Sequence, residues 1–345
     1  MQFPSTLGHW GRRCLAAGAL LCATALAHAG PMFSNLVIFG DSLSDTGNTR
    51  NVVGANSGLI ANLAGYGSNG RFSNGILWHE TMAGVIGESP ATASRVTGAN
   101  NWNYAYGGAR VDNATGPSTG VLRQYADYTT RVGAAGADPN ALFVLWAGGN
   151  DARDLVGNAS PLTGINSSIA GLQGMISGLI GQGATSFLVP NLPDLGKIPE
   201  NRNTADQGSA TQVSVLWNEA LLDMLMGFAD QADIYLVDVY SIFNDVIDNP
   251  STYGFTNTTG QCRSLGFFGL TENSCANANR WVFWDAIHPT TAAHAVIGRA
   301  AAQVLIDGVT LQNVPEPSAL LLAAAALVAM RRVSRRRSTA PALAA

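Results

Sequence analysis

Short apolar runs that alternate with longer stretches of helical periodicity constrain the fold of this chain most strongly. Each run is bounded by turn-forming residues and is apolar at consecutive positions, which indicates strands buried on both faces. The runs predict strands at residues 36–39, 102–106, 141–146, 185–189 and 234–239. The periodic stretches predict helices at residues 76–86, 121–132, 165–180, 211–228 and 290–306. This alternation favours a single α/β domain with a mostly parallel sheet covered on both faces.

Two features of the pattern give more detailed predictions. Within the helix at 211–228, the apolar spacing places Val215, Leu216, Leu222, Met226 and neighbouring side chains on the inward face. Residues 248–280 are polar, rich in Gly and Asn, and without periodicity, so they predict an extended loop.

Both ends of the 345-residue chain predict removable segments. Arg12 and Arg13 precede an apolar run at 14–26 and the small residues of Ala27-His28-Ala29, which together indicate a secretory signal over residues 1–29. At the other end, Pro315-Glu316-Pro317 leads into an apolar stretch at 319–330. An arginine cluster follows it: Arg331, Arg332, Arg335, Arg336 and Arg337. The alternative, an amphipathic last helix of the domain, fits poorly because the apolar stretch has no polar face.

This carboxyl-terminal segment resembles the PEP-CTERM sorting signal of Gram-negative bacteria. The resemblance implies that sorting machinery recognises the Pro-Glu-Pro, while the apolar stretch holds the tail transiently in the inner membrane. Residues 313–345 are then a sorting tail, and residues 30–312 form the domain. The mature protein is expected in the periplasm, on the cell surface or outside the cell.

Composition excludes one class of partner and predicts a disulfide. Charged residues are 12% of the chain and the net charge is −4, with many basic residues in the two tails. No basic stripe is left to neutralise phosphates, so nucleic acid is not an expected partner. Cys262 and Cys275 remain outside the signal segment, and an even count in an oxidising compartment predicts that they pair. Zinc binding is the alternative, but no histidine or second cysteine pair lies nearby.

The first predicted strand ends in Gly40-Asp41-Ser42, which places Ser42 at the carboxyl edge of the sheet. Open α/β sheets bind ligands at that edge. A serine hydroxyl becomes a nucleophile when a base lies within hydrogen-bond reach and a carboxylate orients the base. The plainer alternative is that this Asp-Ser pair caps a helix.

Asp285 and His288 could supply the carboxylate and the base. Their spacing lets Asp285 accept from His288 Nδ1 and leaves Nε2 free for Ser42. The two other histidines outside the signal, His79 and His294, lie within predicted helices and are expected to be satisfied structural residues.

A serine hydrolase also needs hydrogen-bond donors where negative charge develops on the substrate oxygen. Three strand ends could provide them: the Ser42 N–H, an N–H in the Gly107-Gly108 doublet, and the side-chain amide of Asn150. Taken singly, each of these Gly and Asn residues would more often be a turn residue.

These residues belong to segments that resemble the SGNH branch of the GDSL esterase/lipase family. The matching blocks are Phe39-Gly-Asp-Ser-Leu-Ser-Asp-Thr-Gly-Asn48, Asn103-Tyr-Ala-Tyr-Gly-Gly-Ala109, Gly148-Gly-Asn-Asp151 and Asp285-Ala-Ile-His288. The resemblance implies a flavodoxin-like three-layer α/β/α sandwich, a Ser42 nucleophile and a His288 base oriented by Asp285. It also implies an oxyanion hole from Ser42, Asn150 and a glycine of the doublet, for which we favour Gly108 over Gly107. The α/β-hydrolase pattern does not fit, because Ser44 stands where that motif has its second glycine.

Three functions follow from this reading. The first is a secreted serine carboxylester hydrolase acting on lipid or short-chain acyl esters. The second is a deacetylase of O-acetylated surface or extracellular polysaccharide. The third is a non-catalytic surface or matrix protein on a hydrolase scaffold, which an intact set of reactive residues disfavours. No metal or organic cofactor is indicated.

Overall fold

The computed structural model describes residues 32–93, 102–266, 268 and 271–313. The predicted signal at 1–29 and nearly all of the predicted sorting tail lie outside the described residues. The strands are β1 Leu36–Gly40, β2 Thr92–Ala93, β3 Trp102–Asn103, β4 Leu142–Trp146, β5 Ser186–Pro190, β6 Asp233–Val237, β7 Asn257–Gln261, β8 Arg263–Leu265, β9 Glu272–Ser274 and β10 Trp281–Phe283. The helices are α1 Asn48–Val53, α2 Leu59–Ala64, α3 Trp78–Val85, α4 Val121–Val132, α5 Gly149–Asp154, α6 Leu162–Gly181, α7 Gln207–Met226, α8 Val239–Asp248 and α9 Thr291–Asp307.

Six of these strands form one sheet in the order β2-β3-β1-β4-β5-β6, and every neighbouring pair is parallel. Val37 in β1 lies between Trp102 in β3 and Phe143 in β4. Without the two-residue edge strand β2, this is the flavodoxin order, in which the chain changes direction across the first strand. The carboxyl ends of β1 and β4 therefore form the switch point where such folds bind ligands.

Helices cover both faces of the sheet, as predicted. All five residues of β1 and of β4 are buried, and their side chains alternate between two clusters. Val37 and Phe39 join the cluster that includes α4, α6 and α7, while Leu36 and Ile38 join the one that includes α3 and α9. The fold is a three-layer α/β/α sandwich with its core on both sides of the sheet.

The inward face predicted for α7 is confirmed at Leu216 and Met226, which pack against the core, and is wrong at Val215 and Leu222. Val215 and Leu222 are each 36% exposed, whereas Trp217, Leu221 and Leu225 are buried. The indole of Trp217 packs so closely on the chain at Gly148 that a side chain there would lie 1.8 Å from the ring. This contact sets the rotation of α7, which is apolar on more than one face and so could not be oriented from periodicity alone.

The prediction of an extended loop at 248–280 is also wrong. This segment contains β7, which pairs in parallel with β10, and the antiparallel pair of β8 and β9. Its strands are polar, as in the Asn-Thr-Thr-Gly-Gln of β7, and therefore lack the apolar pattern that identifies a buried strand. The predicted disulfide is confirmed: Cys262 and Cys275 are bonded at the open end of the β8–β9 pair.

Candidate active site

Ser42 lies at the carboxyl end of β1, in a tight turn. The N–H groups of Ser44 and Asp45 both donate to the Asp41 carbonyl at 3.0 Å, and this turn carries Ser42 out of the sheet. Gly40 permits the turn because its φ is +154° and a side chain there would lie 2.3 Å from the Trp146 carbonyl oxygen. Only glycine fits between β1 and β4 at this point.

His288 and Asp285 lie in the loop between β10 and α9, and the fold brings them to Ser42. Ser42 Oγ is 2.8 Å from His288 Nε2, although the two residues are 246 positions apart in sequence. His288 Nδ1 is 2.8 Å from Asp285 Oδ2 and 3.0 Å from Oδ1. The serine, the imidazole and the carboxylate therefore form one continuous chain of hydrogen bonds.

Asp285 is held in its ionised form. Burial raises the pKa of this carboxyl, but the charge and the hydrogen bond of His288, with the backbone N–H groups of Ile287 and His288, outweigh burial and lower the pKa below its usual value. An ionised Asp285 accepts from His288 Nδ1–H, so Nε2 is the acceptor for the Ser42 hydroxyl. The arrangement can pass a proton from Ser42 to His288.

The structure distinguishes Gly107 from Gly108 by the hydrogen bonding of their N–H groups, which the sequence alone does not. The Gly107 N–H donates to Asp45 Oδ2 at 3.0 Å and to Thr49 Oγ1 at 2.8 Å. The N–H groups of Gly108 and Ser42 make no hydrogen bond within the described part of the chain. Gly108 has a φ of +73°, which favours glycine. Of the doublet, Gly108 is the residue whose N–H remains available to a ligand.

Asn150 lies in the first turn of α5, just after β4. Its Nδ2 donates to the Ala109 carbonyl at 3.0 Å, which uses one of the two amide hydrogens. Its Oδ1 accepts from the Arg153 guanidinium at 3.4 Å, and Arg153 is held by a bidentate ion pair with Glu200 at 2.6 and 2.8 Å. This network fixes the orientation of the amide, and its second hydrogen, in the lining that Asn150 shares with Ser42, has no partner among the described residues.

Asp45 is a site residue that the sequence reasoning did not single out. Its buried carboxylate accepts from the backbone N–H groups of Gly47, Asn48 and Thr49 as well as from Gly107. Burial raises its pKa, and these hydrogen bonds only partly offset that effect. Asp45 thus joins the loop after β1 to the loop that carries Gly108. The available signal was its place in the Asp45-Thr46-Gly47-Asn48 run.

The segment 65–75 also contributes to the site. The ring of Phe72 packs against the His288 imidazole with centroids 5.3 Å apart, and a side chain at Gly107 would lie 2.0 Å from that ring. The Ser73 hydroxyl donates to the Pro289 carbonyl at 2.9 Å. The composition of segment 65–75, rich in Gly and Ser, does not show that this segment supports the histidine.

His79 and His294 lie apart from this chain of hydrogen bonds. His79 Nε2 donates to the Ser44 carbonyl at 3.0 Å, in keeping with a structural role. His294 is fully buried, and neither of its ring nitrogens has a hydrogen-bond partner among the described residues, so the prediction of a satisfied side chain is wrong there. Burial lowers the pKa of His79 to about 4 and that of His294 to about 3, so both are neutral near pH 7.

No cluster of three or more His, Cys, Asp or Glu side chains in the part of the chain that the structure describes is placed to hold a metal ion. No helix in the described ranges is both long and apolar enough to cross a membrane.

Comparison with known proteins decides the family. The model of the GDSL-like lipase/acylhydrolase family matches residues 36–301. The chain belongs to this family. It is therefore an ester hydrolase of the α/β class, and the order of its sheet agrees with that assignment. A second model, the PEP-CTERM protein-sorting motif, matches residues 313–337.

Two curated relatives and one solved structure illustrate the similarity. The thermolabile hemolysin of Vibrio parahaemolyticus is 29% identical over 284 residues, which cover 76% of this chain but only 62% of the hemolysin. The phosphatidylcholine-sterol acyltransferase of Aeromonas hydrophila is 25% identical over 346 residues, which cover 83% of this chain and 94% of that protein. The crystal structure of LAE5, an α/β hydrolase enzyme from the metagenome of Lake Arreo in Spain, has a TM-score of 0.44 and 16% identity, and covers 81% of this chain and 98% of its own.

Proposed function

We propose that this GDSL hydrolase is an exported serine carboxylester hydrolase that works through an acyl-enzyme. Ser42 is the nucleophile, His288 is the general base, and Asp285 orients the base. The observation that carries the proposal is the unbroken chain of hydrogen bonds, with 2.8 Å from Ser42 Oγ to His288 Nε2 and 2.8 Å from Nδ1 to Asp285. Side chains from the two ends of the domain meet in the order that nucleophilic catalysis requires.

The reaction proceeds in two halves. His288 Nε2 takes the Ser42 proton as Oγ attacks the ester carbonyl carbon, and the ionised Asp285 stabilises the imidazolium that forms. The imidazolium then protonates the leaving alcohol, which leaves the acyl group on Ser42. Water then attacks the acyl carbon while His288 Nε2 takes the proton from the water. His288 returns this proton to Ser42 Oγ as the bond between Oγ and the acyl carbon breaks, and the acid is released.

The tetrahedral oxyanion is stabilised by three donors: the Ser42 N–H, the Gly108 N–H and the Asn150 amide. The support for this set is that both N–H groups are free of hydrogen bonds in the described chain, while the Gly107 N–H is engaged. Loss of one such donor lowers kcat roughly 10² to 10³-fold in serine hydrolases.

Lipid esters and short-chain acyl esters are the first substrate classes we propose. The Aeromonas relative is named for phosphatidylcholine and a sterol, which supports an acyl ester of a lipid. Removal of acetyl groups from surface or extracellular polysaccharide is the second candidate. It is favoured by the small volume, about 60 Å³, of the apolar cavity beside Ser42.

The PEP-CTERM motif implies export and sorting to the envelope of a Gram-negative bacterium. We propose that residues 1–29 direct export, residues 30–312 form the hydrolase domain, and residues 313–345 engage the sorting machinery while held transiently in the inner membrane. The hydrolase would then act in the periplasm, on the cell surface or outside the cell.

The test is Ser42→Ala assayed with p-nitrophenyl acetate, beside a mass-spectrometric search for a phosphonate adduct on Ser42. We expect kcat to fall by about 10⁴-fold or more and the adduct to be absent in the variant, with an unchanged circular dichroism spectrum. The matched control is Ser251→Ala, which removes an exposed hydroxyl away from the site and should keep full activity. A folded Ser42→Ala enzyme with more than a tenth of the wild-type rate would overturn the proposal.

A further inference from the structure

Two concavities of different character meet at Ser42. The first, called here the inner cavity, has a volume of about 60 Å³. The second, called here the outer groove, has a volume of about 630 Å³ and opens to the surface. Ser42, Asn150 and His288 line both, so an ester bound at Ser42 has one half on each side.

The inner cavity is apolar. Its walls come from the loop that follows β5, from α8 and from β10, and include Leu192, Leu195, Ile198, Phe243 and Phe283. These side chains are buried, and the rings of Phe243 and Phe283 meet edge to face with centroids 5.8 Å apart. These five side chains offer no hydrogen-bond partner to a hydroxyl group. Asp41, Asn150 and Arg153 also line the cavity, but most of its surface is apolar, which disfavours a sugar or glycerol there. A hydrocarbon chain has no hydrogen bonds to water that it would lose on entering, and each methylene group that it buries raises the binding constant about fourfold.

The size of the inner cavity limits the length of that chain. A cavity needs about 10 to 15 Å³ of volume for each water-sized group that it holds. The inner cavity, at about 60 Å³, therefore holds about four to six non-hydrogen atoms. An acetyl, propionyl or butyryl group fits this space. A chain of eight or more carbons does not fit without moving the wall that Phe243 and Ile198 form.

The outer groove has about ten times that volume and a different surface. Its lining is mixed. Apolar surface makes up most of it, with Val53, Phe72 and Leu265 among the contributors, and the polar part comes from Gln261, Ser264 and the Arg153–Glu200 ion pair. These groups both donate and accept hydrogen bonds, which suits an alcohol that carries several hydroxyls.

We propose that the enzyme selects short acyl esters of bulky, hydroxyl-rich alcohols, with the acyl group in the inner cavity and the alcohol in the outer groove. This inference rests on the proposed function of Ser42, His288 and Asp285, and it names the substrate class of that site. Phe243 and Ile198 set the acyl length, while Gln261 and Ser264 bind the alcohol.

The acyl half is tested with a p-nitrophenyl ester series from acetyl to decanoyl. We expect kcat/KM of the wild type to peak between acetyl and butyryl and to fall at least tenfold by octanoyl. Phe243→Ala should shift the peak by two or more carbons, and Ile198→Phe should lower butyrate turnover relative to acetate. Phe228→Ala is the matched control, because Phe228 is as well buried as Phe243 but does not line the cavity. Its profile should match that of the wild type.

The alcohol half is tested with 6-O-acetylglucose against p-nitrophenyl acetate. Gln261→Ala combined with Ser264→Ala should raise KM for the sugar ester about threefold to tenfold relative to KM for p-nitrophenyl acetate. A wild-type optimum at octanoyl or longer, or a folded Phe243→Ala with an unchanged profile, would overturn the inference. Neither result bears on Ser42, because the Ser42→Ala experiment tests the nucleophile separately.

Discussion

Asp45 links the two loops that carry Ser42 and Gly108, whose relative position determines the geometry of the site. Its carboxylate holds three N–H groups of its own loop and the Gly107 N–H, at distances of 2.7 to 3.1 Å. The position of the Gly108 N–H relative to Ser42 therefore depends on a side chain that is hydrogen-bonded to the adjacent Gly107 N–H. Asp45 is a positioning residue in this scheme.

Replacing Asp45 with Asn should separate positioning from binding. An amide has one acceptor oxygen where the carboxylate has two, so at least one buried N–H loses its partner, at a cost of about 1 to 3 kcal/mol in stability. We expect kcat to fall at least tenfold with KM little changed, because a displaced Gly108 weakens stabilisation of the oxyanion more than binding of the ground state.

Thr49→Val is the control for Asp45→Asn. It removes the second acceptor of the Gly107 N–H, together with the hydrogen bond that Thr49 Oγ1 donates to the Pro117 carbonyl, and leaves the link through Asp45 Oδ2 in place. We expect a smaller loss of kcat. An Asp45→Asn enzyme with wild-type kcat, measured at a temperature where the variant is fully folded, would contradict the positioning role.

The Gly107-Gly108 doublet shows what the sequence cannot predict at the scale of single residues, namely which of the two N–H groups is available to a ligand. Both residues are glycine, so only the hydrogen-bond partners of their N–H groups distinguish them. The partners of the Gly107 N–H are Asp45 and Thr49, about sixty positions earlier in the sequence. Ser42, Asp285, His288 and Asn150 could be proposed because each lies at a predicted strand end or in a distinctive short spacing. Asp45 and Phe72 act through other residues, and no local pattern marks that role.

At the scale of elements, segment 65–75 is the support for His288. Phe72 is buried between the His288 imidazole and the backbone at Gly107, and it also packs edge to face on Tyr66. Its ring touches the loops of both the base and the oxyanion donor. Loss of the ring should therefore disturb the geometry of the site as well as the packing.

Phe72→Ala should lower kcat/KM for p-nitrophenyl acetate at least tenfold and destabilise the protein by about 3 kcal/mol, as expected for a large buried ring. Phe255→Ala removes a ring that is as deeply buried but lies outside the site, so it should cost similar stability with little change in kcat/KM. Chemical denaturation and steady-state kinetics on both variants provide the comparison. Equal activity losses in the two would mean that the effect is general destabilisation.

The β8–β9 pair depends on the Cys262–Cys275 disulfide. Only three residues pair on each side, and most of them are exposed, so packing contributes little. Closing a loop of this length contributes about 3 kcal/mol in the chain-entropy model. A Cys262→Ser, Cys275→Ser double variant should show a clearly lower Tm in thermal denaturation. A reducing agent should lower the Tm of the wild type but not that of the variant, and an unchanged wild-type Tm would contradict this account.

The elements that the sequence predicts well are those buried on both faces. The runs of β1, β4 and β5 are apolar at successive positions because helices cover both sides, and their predicted bounds differ by at most one residue from the observed ones. The strands β7 to β10 were missed because backbone pairing and a disulfide hold them without an apolar pattern. The rotation of α7 depends on where Trp217 finds space, which is a property of the assembled core.

For the whole molecule, the parallel sheet explains how distant segments form one site. Parallel strands present their carboxyl ends at one edge, so the loops after β1 and β4 are neighbours although more than a hundred residues separate them. The sequence predicts this convergence from the strand pattern. It does not predict the inner cavity, because its walls come from loops and helix ends whose course is set by tertiary packing.

The stability of the whole molecule should fall in acid, and two buried histidines are a main cause. Burial lowers the pKa of His79 to about 4 and that of His294 to about 3, whereas both return to about 6.5 on unfolding. The unfolded chain therefore binds more protons below pH 6.5, and stability falls as the pH falls. By pH 5 each histidine should cost about 2 kcal/mol relative to pH 8. Asp41 acts in the opposite direction, because burial raises its pKa to about 6 and the folded state gains a proton there.

His294→Leu isolates one of these contributions. The variant keeps a buried side chain on α9 but has nothing to protonate, so its free energy of unfolding should gain about 2 kcal/mol relative to the wild type between pH 8 and pH 5. Urea denaturation at the two pH values measures this difference. Ile297→Val, on the same helix and also buried, should shift stability equally at both. If His294→Leu and the wild type lose the same free energy between pH 8 and pH 5, His294 is not neutral in the folded protein, and the acid sensitivity comes from other groups.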